Sequence, residues 1–233
     1  MKQHRFIGNF DLSENKINLS DRALIHQIKD VLRIGIGDKI VLADGNLNEA
    51  LVEITNMVAN RLSVEVISRN KNNNESLKDV SLYCSILKRE NFELVVQKTT
   101  EVGIKKIIPI ITERTVKLNF NQGRLEKIIK EASEQSGRGI IPTLTQPVKF
   151  EDSLKESEEN KANILFHEEG DFFSQKNLDR FSKIGIWIGP EGGWTTKEIK
   201  KAQENKFLVF GLGKLTLRAE TAAIVASYLV CKN

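Results

Sequence analysis

Two glycine-rich stretches near the end of the sequence have the residue types of a ligand pocket. The apolar run 184–188 is followed by Gly-Pro-Glu-Gly-Gly at 189–193, and the apolar run 207–210 is followed by Gly-Leu-Gly at 211–213. Each run has the character of a buried strand. Ligands of open α/β sheets bind at the carboxyl ends of strands, so the two stretches are expected to form two walls of one pocket. Glycine suits such walls because it lets the backbone approach a ligand closely.

Neither stretch is a nucleotide-phosphate motif. No G-x-G-x-x-G opens a predicted helix, and no G-x-x-x-x-G-K-[ST] occurs in the sequence. Taken alone, Gly-Pro-Glu-Gly-Gly is explained equally well as a tight connection between a strand and a helix. The stretch therefore needs support from its surroundings before it indicates a binding site.

A charged pair, Arg218 and Glu220, follows the second stretch. Residues 220–231 are apolar around nearly the whole of a predicted helix, which predicts that this helix is buried. The two charged side chains would then lie beside the core, where such groups are usually paired or functional. The alternative is that they pair with each other and cap the helix, since a carboxylate is favoured near a helix N-terminus.

These stretches together resemble the RsmE family, the SPOUT-class methyltransferases that methylate N3 of a uridine in small-subunit ribosomal RNA. The resemblance rests on Gly-Pro-Glu-Gly-Gly at 189–193, on Leu-Gly at 212–213 and on Leu-Arg-x-Glu-Thr-Ala at 217–222. It extends over almost the whole chain through further matches at 4–6, 25–33, 88–103 and 131–138. The sequence departs from the family pattern at Gly139, where a larger and often polar residue is expected.

The resemblance implies an α/β fold with two domains. Residues 76–233 would form a SPOUT domain, with a mainly parallel sheet and a trefoil knot at the cofactor site. Residues 1–70 would form a small, β-rich, PUA-like domain that helps to hold RNA. The knot follows from the resemblance alone, because no periodicity predicts it and true knots are very rare. The implied cofactor is S-adenosylmethionine, and the implied partners are ribosomal RNA or the small ribosomal subunit and a second copy of the chain in a homodimer.

The resemblance also implies the site residues. Arg218 would stabilise a developing uridinate, and either Glu220 or Glu191 would orient the base or take its proton. The implied cofactor contacts are Phe166, His167, Gly189, Pro190, Glu191, Gly192, Gly193, Leu212, Gly213, Leu217, Thr221 and Ala222. The candidate RNA contacts are Arg5, His26, Arg33, Lys88, Arg89, Lys98 and Arg138.

Two of the RNA candidates have simpler explanations. His26 is explained equally well as a half-buried helix residue, and Lys98 as a solvated one. Lys88, Arg89 and Lys98 are expected to cluster at a strand end and the following helix. Such a cluster could hold phosphates, which position RNA without reading its sequence.

Hydrophobic periodicity predicts the elements of residues 1–69. Short strands with turns are expected, together with one helix over residues 21–31 that turns Leu24, Ile25, Ile28 and Val31 to one face. Residues 70–78 are polar and of low complexity, which predicts an exposed linker and the domain boundary.

From residue 80 onward, predicted strands alternate with predicted helices. This alternation is typical of a mainly parallel sheet. Between the two glycine-rich stretches, Thr195 and Glu198 have the spacing of a capping box at a helix start. Trp194 is expected to staple this helix against Ile199, which favours a structural role for Trp194 over base stacking.

Composition limits the classes of protein to which this chain can belong. The 233 residues are 40% hydrophobic, which suits a globular chain with a substantial core. No apolar stretch approaches a membrane span and no signal peptide is present, so a cytoplasmic protein is expected. Cys84 and Cys231 lie in apolar runs and are expected to be reduced core residues, with no metal site. The net charge of +4 permits an RNA partner without requiring one.

Two functions are consistent with these sequence features. The first is methylation of ribosomal RNA with S-adenosylmethionine, and the alternative is a non-catalytic dimeric RNA-binding protein. Basic residues support both equally. Arg218 and Glu220 beside two glycine-rich turns favour the enzyme, because a protein that only binds RNA has no need of them. A dinucleotide-binding enzyme fits less well, because its glycine loop normally follows the first strand.

Overall fold

The computed structural model describes residues 3–58, 60–116, 120–178 and 180–232. Its contacts divide the chain into two compact units. The first unit comprises Met1–Glu75 and Ser133–Ile141, and the second comprises Ser76–Ala132 and Pro142–Asn233. The predicted domain ranges placed residues 133–141 with the rest of residues 76–233, whereas the structure groups them with the first unit.

The first unit is built on a five-stranded sheet in the order β1-β3-β4-β5-β2. The strands are β1 (Arg5–Ile7), β2 (Lys16–Leu19), β3 (Lys39–Ala43), β4 (Asn48–Val58) and β5 (Arg61–Lys71). β1 and β3 are parallel, and the other neighbours are antiparallel. Alternate residues of β4, Ala50, Val52 and Ile54, are fully buried, so the sheet has one core face.

The predicted helix at 21–31 is two different pieces. α1 covers Arg22–His26, with Asp21 as its N-cap, and a π-helical turn follows over Gln27–Val31. Leu24, Ile25 and Ile28 are buried as predicted, but Val31 is 62% exposed. The prediction for Val31 was wrong because a π turn holds more residues than an α turn and rotates the next side chain off the buried face.

The predicted exposed linker at 70–78 is partly buried. β5 continues through Lys71, and Asn72 and Ser76 are both buried. The Asn72 amide donates to the carbonyl of Gly137 at 3.0 Å. A Cβ on Gly139 would lie 2.8 Å from Asn72, so this close approach explains the glycine that departs from the family pattern.

The second unit is an α/β layer structure around a parallel sheet in the order β12-β10-β11-β6-β7-β8, with β9 also paired to β7. The strands are β6 (Asp79–Ser85), β7 (Lys106–Ile111), β8 (Thr143–Leu144), β9 (Val148–Lys149), β10 (Ala162–Phe172), β11 (Lys183–Ile188) and β12 (Leu208–Gly211). The helices are α2 (Arg89–Glu101), α3 (Gln122–Ser136), α4 (Phe150–Glu156), α5 (Thr196–Glu204) and α6 (Ala219–Cys231). The mainly parallel sheet predicted from the strand–helix alternation is confirmed.

Alternation along β11 shows how both faces of this sheet are covered. Ile184, Ile186 and Ile188 belong to a core with residues of α2, α3 and α6. Trp187, on the other face, packs in a core with residues of α4 and α5. A strand that is buried on both faces is continuously apolar, which is the pattern that the sequence shows at 184–188.

α6 is less buried than its composition predicts. One side packs on α2 and the sheet, and Ala223, Ala226 and Val230 are fully buried. Tyr228, on another side, is 51% exposed. The helix that was predicted to be buried is therefore buried on one side only, because a helix that covers one face of a sheet leaves its outer stripe open.

Candidate functional site

The two glycine-rich stretches line one cavity of about 720 Å³ in the second unit. They follow β11 and β12, which both pair with β10, so the three strands end at one edge of the sheet. The predicted residues that line the cavity are Phe166, His167, Gly189, Pro190, Glu191, Gly192, Gly193, Leu212, Gly213, Leu217, Arg218, Glu220, Ala222 and Lys88. Thr221 is exposed and is not among the lining residues.

The first stretch is a closed turn. The Gly193 N–H donates to the Pro190 carbonyl at 2.8 Å, and Gly193 has φ +69°, which favours glycine. Gly189 is required for a different reason, because a Cβ there would lie 3.1 Å from the ring of Trp194. The indole N–H of buried Trp194 donates to the Phe166 carbonyl at 3.1 Å, so its role is structural, as the sequence predicted.

The helix after this turn begins with the predicted capping box. The Thr195 N–H donates to the Glu198 carboxylate at 2.9 Å, and the Glu198 N–H donates back to the Thr195 hydroxyl at 3.3 Å. The cap satisfies N–H groups that the first turn of α5 would otherwise leave without partners. It thereby fixes where the turn at 189–193 must end.

The glycine-rich turn is held by two side-chain contacts. The Glu191 carboxylate accepts the N–H of Lys88 at 3.1 Å, just before α2 begins. Arg114 donates from a terminal guanidinium nitrogen to the Gly192 carbonyl at 2.6 Å. No local signal in the sequence marks the contact of Arg114 with residue 192.

A bulge in β10 forms another wall of the cavity. Phe166 and Asp171 both align with Phe210 of β12, so the four residues between them leave the ladder. Gly170 is required there, since a Cβ would lie 2.5 Å from the Phe210 backbone. Glu168, in the bulge, accepts a hydrogen bond from the Thr216 hydroxyl at 3.3 Å. Neither Glu168 nor Thr216 was among the cavity residues expected from the sequence.

Arg218 and Glu220 both line the cavity but differ in burial. Arg218 is the exposed N-cap residue of α6, and Glu220 is 8% exposed in its first turn. Within the described part of the chain, no ion pair joins the two side chains. Arg218 and Glu220 therefore do not form the helix-capping pair that was the alternative explanation. Each charged side chain is available to a ligand.

Cys84 lies near the turn but is not a nucleophile. Burial, together with the charge of Glu191, raises the pKa of its thiol far above the ordinary value. A thiol attacks as the thiolate, so Cys84 is an inert core residue. Over the residues that the structure describes, no group of three or more His, Cys, Asp or Glu is placed to hold a metal ion.

The RNA candidates of the first unit differ in availability. His26 is not half-buried, because its side chain is 68% exposed beside Asp30. Arg33 is exposed and has φ +55°. The Arg5 guanidinium is largely buried and pairs with Glu49, which leaves less of it for a ligand.

Arg138 has a structural position. Its guanidinium is 4% exposed and binds the Glu75 carboxylate through two hydrogen bonds of 2.8 Å. Glu75 also accepts the N–H groups of Gly139 and Ile140. The predicted RNA contact conflicts with this burial, because a paired guanidinium inside the unit is not presented to RNA.

The three basic candidates of α2 do not form one cluster. Lys88 is exposed and lines the cavity, and Arg89 pairs with Glu93 at 3.0 Å. Lys98 pairs with Glu101 at the other end of the helix. At 1.5 Å per residue, Lys98 lies about 15 Å along the helix from Lys88. The expected single patch is therefore wrong, because the helix separates its members.

Arg124 of α3 joins Arg89 on Glu93. Its guanidinium donates to the two Glu93 oxygens at 2.5 and 2.7 Å. The hydrogen bonds from Arg124, with the one from Arg89, lower the pKa of Glu93 to about 2. This exposed cluster near the start of α2 carries two guanidinium groups against one carboxylate.

Comparison with known proteins defines the class first. The family model described as an RNA methyltransferase domain matches residues 73–230. In the described residues, no helix is both long and apolar enough to pass through a bilayer.

Relatives define the particular family. A ribosomal RNA small subunit methyltransferase E from Rickettsia conorii is 34% identical over 230 residues, which cover 97% of this chain and 94% of the relative. The solved structure of this enzyme from Neisseria gonorrhoeae, bound to S-adenosyl methionine, is 26% identical, with a TM-score of 0.88 and coverage of 97% and 95%. A putative methyltransferase from Legionella pneumophila, in complex with the same cofactor, is 28% identical, with a TM-score of 0.89 and coverage of 99% and 97%. The chain belongs to the ribosomal RNA small subunit methyltransferase E family.

Proposed function

We propose that the cavity of the second unit binds S-adenosylmethionine and that the protein methylates N3 of a uridine in small-subunit ribosomal RNA. The observation that carries this proposal is the convergence of both glycine-rich stretches, Arg218 and Glu220 on one cavity. The names of the relatives and the cofactor in two similar structures support it. Family membership also favours the enzyme over the non-catalytic RNA-binding protein.

The cavity suits this cofactor in size and chemistry. About 720 Å³ lies within the usual range for small-molecule sites. S-adenosylmethionine has no phosphate, which fits a site without a phosphate motif. Backbone groups at 189–193 and 212–217 would hold the adenosine, with apolar side chains such as Phe166, Leu212 and Ala222 against it.

When bound, the cofactor supplies a sulfonium methyl group that an anionic nitrogen can attack in line. N3 of uridine carries a proton, so this chain must accept that proton and stabilise the resulting uridinate. Arg218 provides the positive charge at the mouth of the cavity. Glu191 already accepts the Lys88 N–H, which favours a role in holding the turn. We therefore assign the proton acceptor to Glu220.

Both units would contact the RNA. We assign residues 1–70 to a PUA-like RNA-binding domain and residues 76–233 to a SPOUT methyltransferase domain, with the knot that the resemblance implies. The segment 133–141 within the second range groups with the first unit. His26 and Arg33 are the available contacts of the first unit. Lys88 and Arg89 are those of the second, and Lys88 places a charge at the rim of the cavity.

The proposed partner of the chain is a second copy, and the proposed location is the cytoplasm. The open stripe of α6 supports the homodimer, since Tyr228 is half-exposed and Leu94 of the adjacent α2 is also exposed. Exposed apolar side chains on neighbouring helices are typical of contact surfaces.

Calorimetry tests the cofactor assignment. S-adenosylmethionine should bind with one site per chain and should stabilise the protein by about 2.7 kcal/mol at 100 times its dissociation constant. Absence of both binding heat and stabilisation would contradict the proposal, even if RNA binds.

A further inference from the structure

The loop after β7 is joined to the glycine-rich turn at 189–193 by Arg114. Its guanidinium donates to the Gly192 carbonyl at 2.6 Å. Its aliphatic stem lies on the same residue, because a Cβ added to Gly192 would be 3.4 Å from Arg114 Cδ. The side chain therefore both bonds the peptide and covers it.

The bonded carbonyl belongs to the peptide between two glycines. Gly192 and Gly193 have no Cβ to restrict rotation of this peptide, and Gly193 already adopts positive φ. Both residues line the cavity. A fixed hydrogen bond from a charged donor selects one orientation for this peptide and thus for the N–H and C=O groups at the cavity wall.

The loop that carries Arg114 is itself held by hydroxyl contacts to the end of β6. The Thr115 hydroxyl accepts the Thr112 N–H at 2.9 Å and lies 2.8 Å from the Thr112 hydroxyl. The hydroxyl of fully buried Ser85 lies 3.2 Å from that of Thr112 and 3.0 Å from that of Thr115. Three hydroxyls thus hold the loop against the end of β6.

The same loop is anchored on its other side by the start of α5. The Glu113 N–H donates to the Glu198 carboxylate at 3.0 Å. That carboxylate is also part of the capping box of α5, and it is buried. Both sequence neighbours of Arg114, Glu113 and Thr115, are therefore held by hydrogen bonds. The turn at 189–193, the loop and the start of α5 form one hydrogen-bonded network.

We propose that Arg114 is a positioning residue for cofactor binding: it orders the glycine-rich turn by holding the Gly192 carbonyl. This inference rests on the proposed function, because it takes the cavity to be the cofactor site. Arg114 is not among the described residues that line the cavity, so it acts through the turn and not by touching the reacting atoms. Its loss should raise the KM for S-adenosylmethionine and leave kcat nearly unchanged.

Three variants separate the hydrogen bond from other effects. Arg114→Met keeps an apolar stem on Gly192 but has no donor, and Arg114→Lys keeps a positively charged donor. Arg180→Ala is the control, because Arg180 is exposed and lies outside the cavity lining. Dissociation constants come from calorimetry, KM and kcat from methylation of small subunits, and melting temperatures from the proteins without ligand.

We expect Arg114→Met to weaken cofactor binding and to raise KM by roughly tenfold, the size expected for one charged hydrogen bond. Arg114→Lys should recover part of this loss, and Arg180→Ala should behave as wild type. Wild-type affinity in Arg114→Met would overturn the inference, as would a fall in melting temperature with unchanged KM. If the wild type itself fails to bind the cofactor, the proposed function fails instead.

Discussion

Arg33 occupies a backbone conformation that usually belongs to glycine. It follows the π turn, with φ +55°, and the Ile34 N–H closes the helix end on the Ile28 carbonyl at 3.0 Å. Helices often end with a glycine in this conformation, and a side chain there costs of order 1 kcal/mol. An arginine at this position suggests that its charge is needed for function, and we proposed RNA as its ligand.

Arg33→Gly should therefore separate stability from binding. We expect the free energy of unfolding to stay constant or rise by up to about 1 kcal/mol, while RNA affinity falls and loses about one unit of its salt dependence. Lys206→Gly is the matched control, since Lys206 has φ +63° in the second unit and is not an RNA candidate. Unchanged RNA affinity and salt slope in Arg33→Gly would mean that Arg33 is an ordinary solvated charge.

Arg218 is predicted to act on the transition state. Because it is exposed, Arg218→Ala should leave the melting temperature unchanged, yet it should lower turnover by about 10²–10³. Arg218→Lys should restore activity only in part, because a point charge does not replace a planar fork. Lys214→Ala, in the same loop but outside the cavity lining, is the control.

Single-turnover methylation and calorimetry on these variants give the decisive comparison. Cofactor affinity should change little in Arg218→Ala, since a cationic sulfonium gains nothing from a nearby guanidinium. A normal single-turnover rate in Arg218→Ala would remove the catalytic role.

At the scale of elements, the Glu75–Arg138 pair joins the end of β5 to the segment after α3. Burial alone would raise the pKa of Glu75, but the hydrogen bonds and charge of Arg138 outweigh it and hold that pKa below its ordinary value. A carboxyl group with a lowered folded-state pKa stabilises the fold above its unfolded-state pKa. That stabilisation is lost as the pH falls through the folded-state pKa.

Glu75→Gln should therefore destabilise the protein in a pH-dependent way. At neutral pH we expect a loss of about 3–5 kcal/mol in the free energy of unfolding, because Arg138 keeps a buried charge without a carboxylate. The difference from wild type should shrink as the pH falls below the ordinary pKa of Glu. Denaturant titrations at several pH values measure it, with exposed Glu65→Gln as control. A pH-independent difference would contradict the linkage.

Elements with a local signal were predictable, and those set by distant contacts were not. The apolar period of α2 and α3, the capping box of α5 and the apolar run of β11 are all visible in the sequence and present in the structure. The π turn at 27–31 and the bulge in β10 carry no local pattern, because their geometry follows from packing against neighbouring elements.

The residues of the candidate site also divide into those that the sequence predicts and those that it does not. The glycines and Arg218 were predictable, because residue type and position after an apolar run suffice to suggest a pocket. Arg114 was not, since its contact with Gly192 depends on the order β11-β6-β7, which brings residues 78 positions apart together. The burial of Arg138 likewise depends on Glu75, 63 residues away.

At the scale of the whole molecule, the proposed homodimer would cover the open stripe of α6. Tyr228→Lys should place a charge in that interface and shift the protein to monomer in sedimentation velocity, without loss of the folded state. The control is Lys200→Ala, a change at an exposed residue of α5. A wild-type protein that sediments as a monomer at micromolar concentration would contradict the homodimer.

The proposed reaction is transfer of a methyl group from S-adenosylmethionine to N3 of a uridine in small-subunit RNA. The most direct measurement is mass spectrometry of nucleosides and mapped fragments from small subunits, isolated from cells that lack this protein and incubated with it and trideuteromethyl S-adenosylmethionine. We expect labelled 3-methyluridine at one position, and labelling that is about 10²–10³-fold slower with Arg218→Ala. Label on another nucleoside, or no label although the cofactor binds, would contradict it.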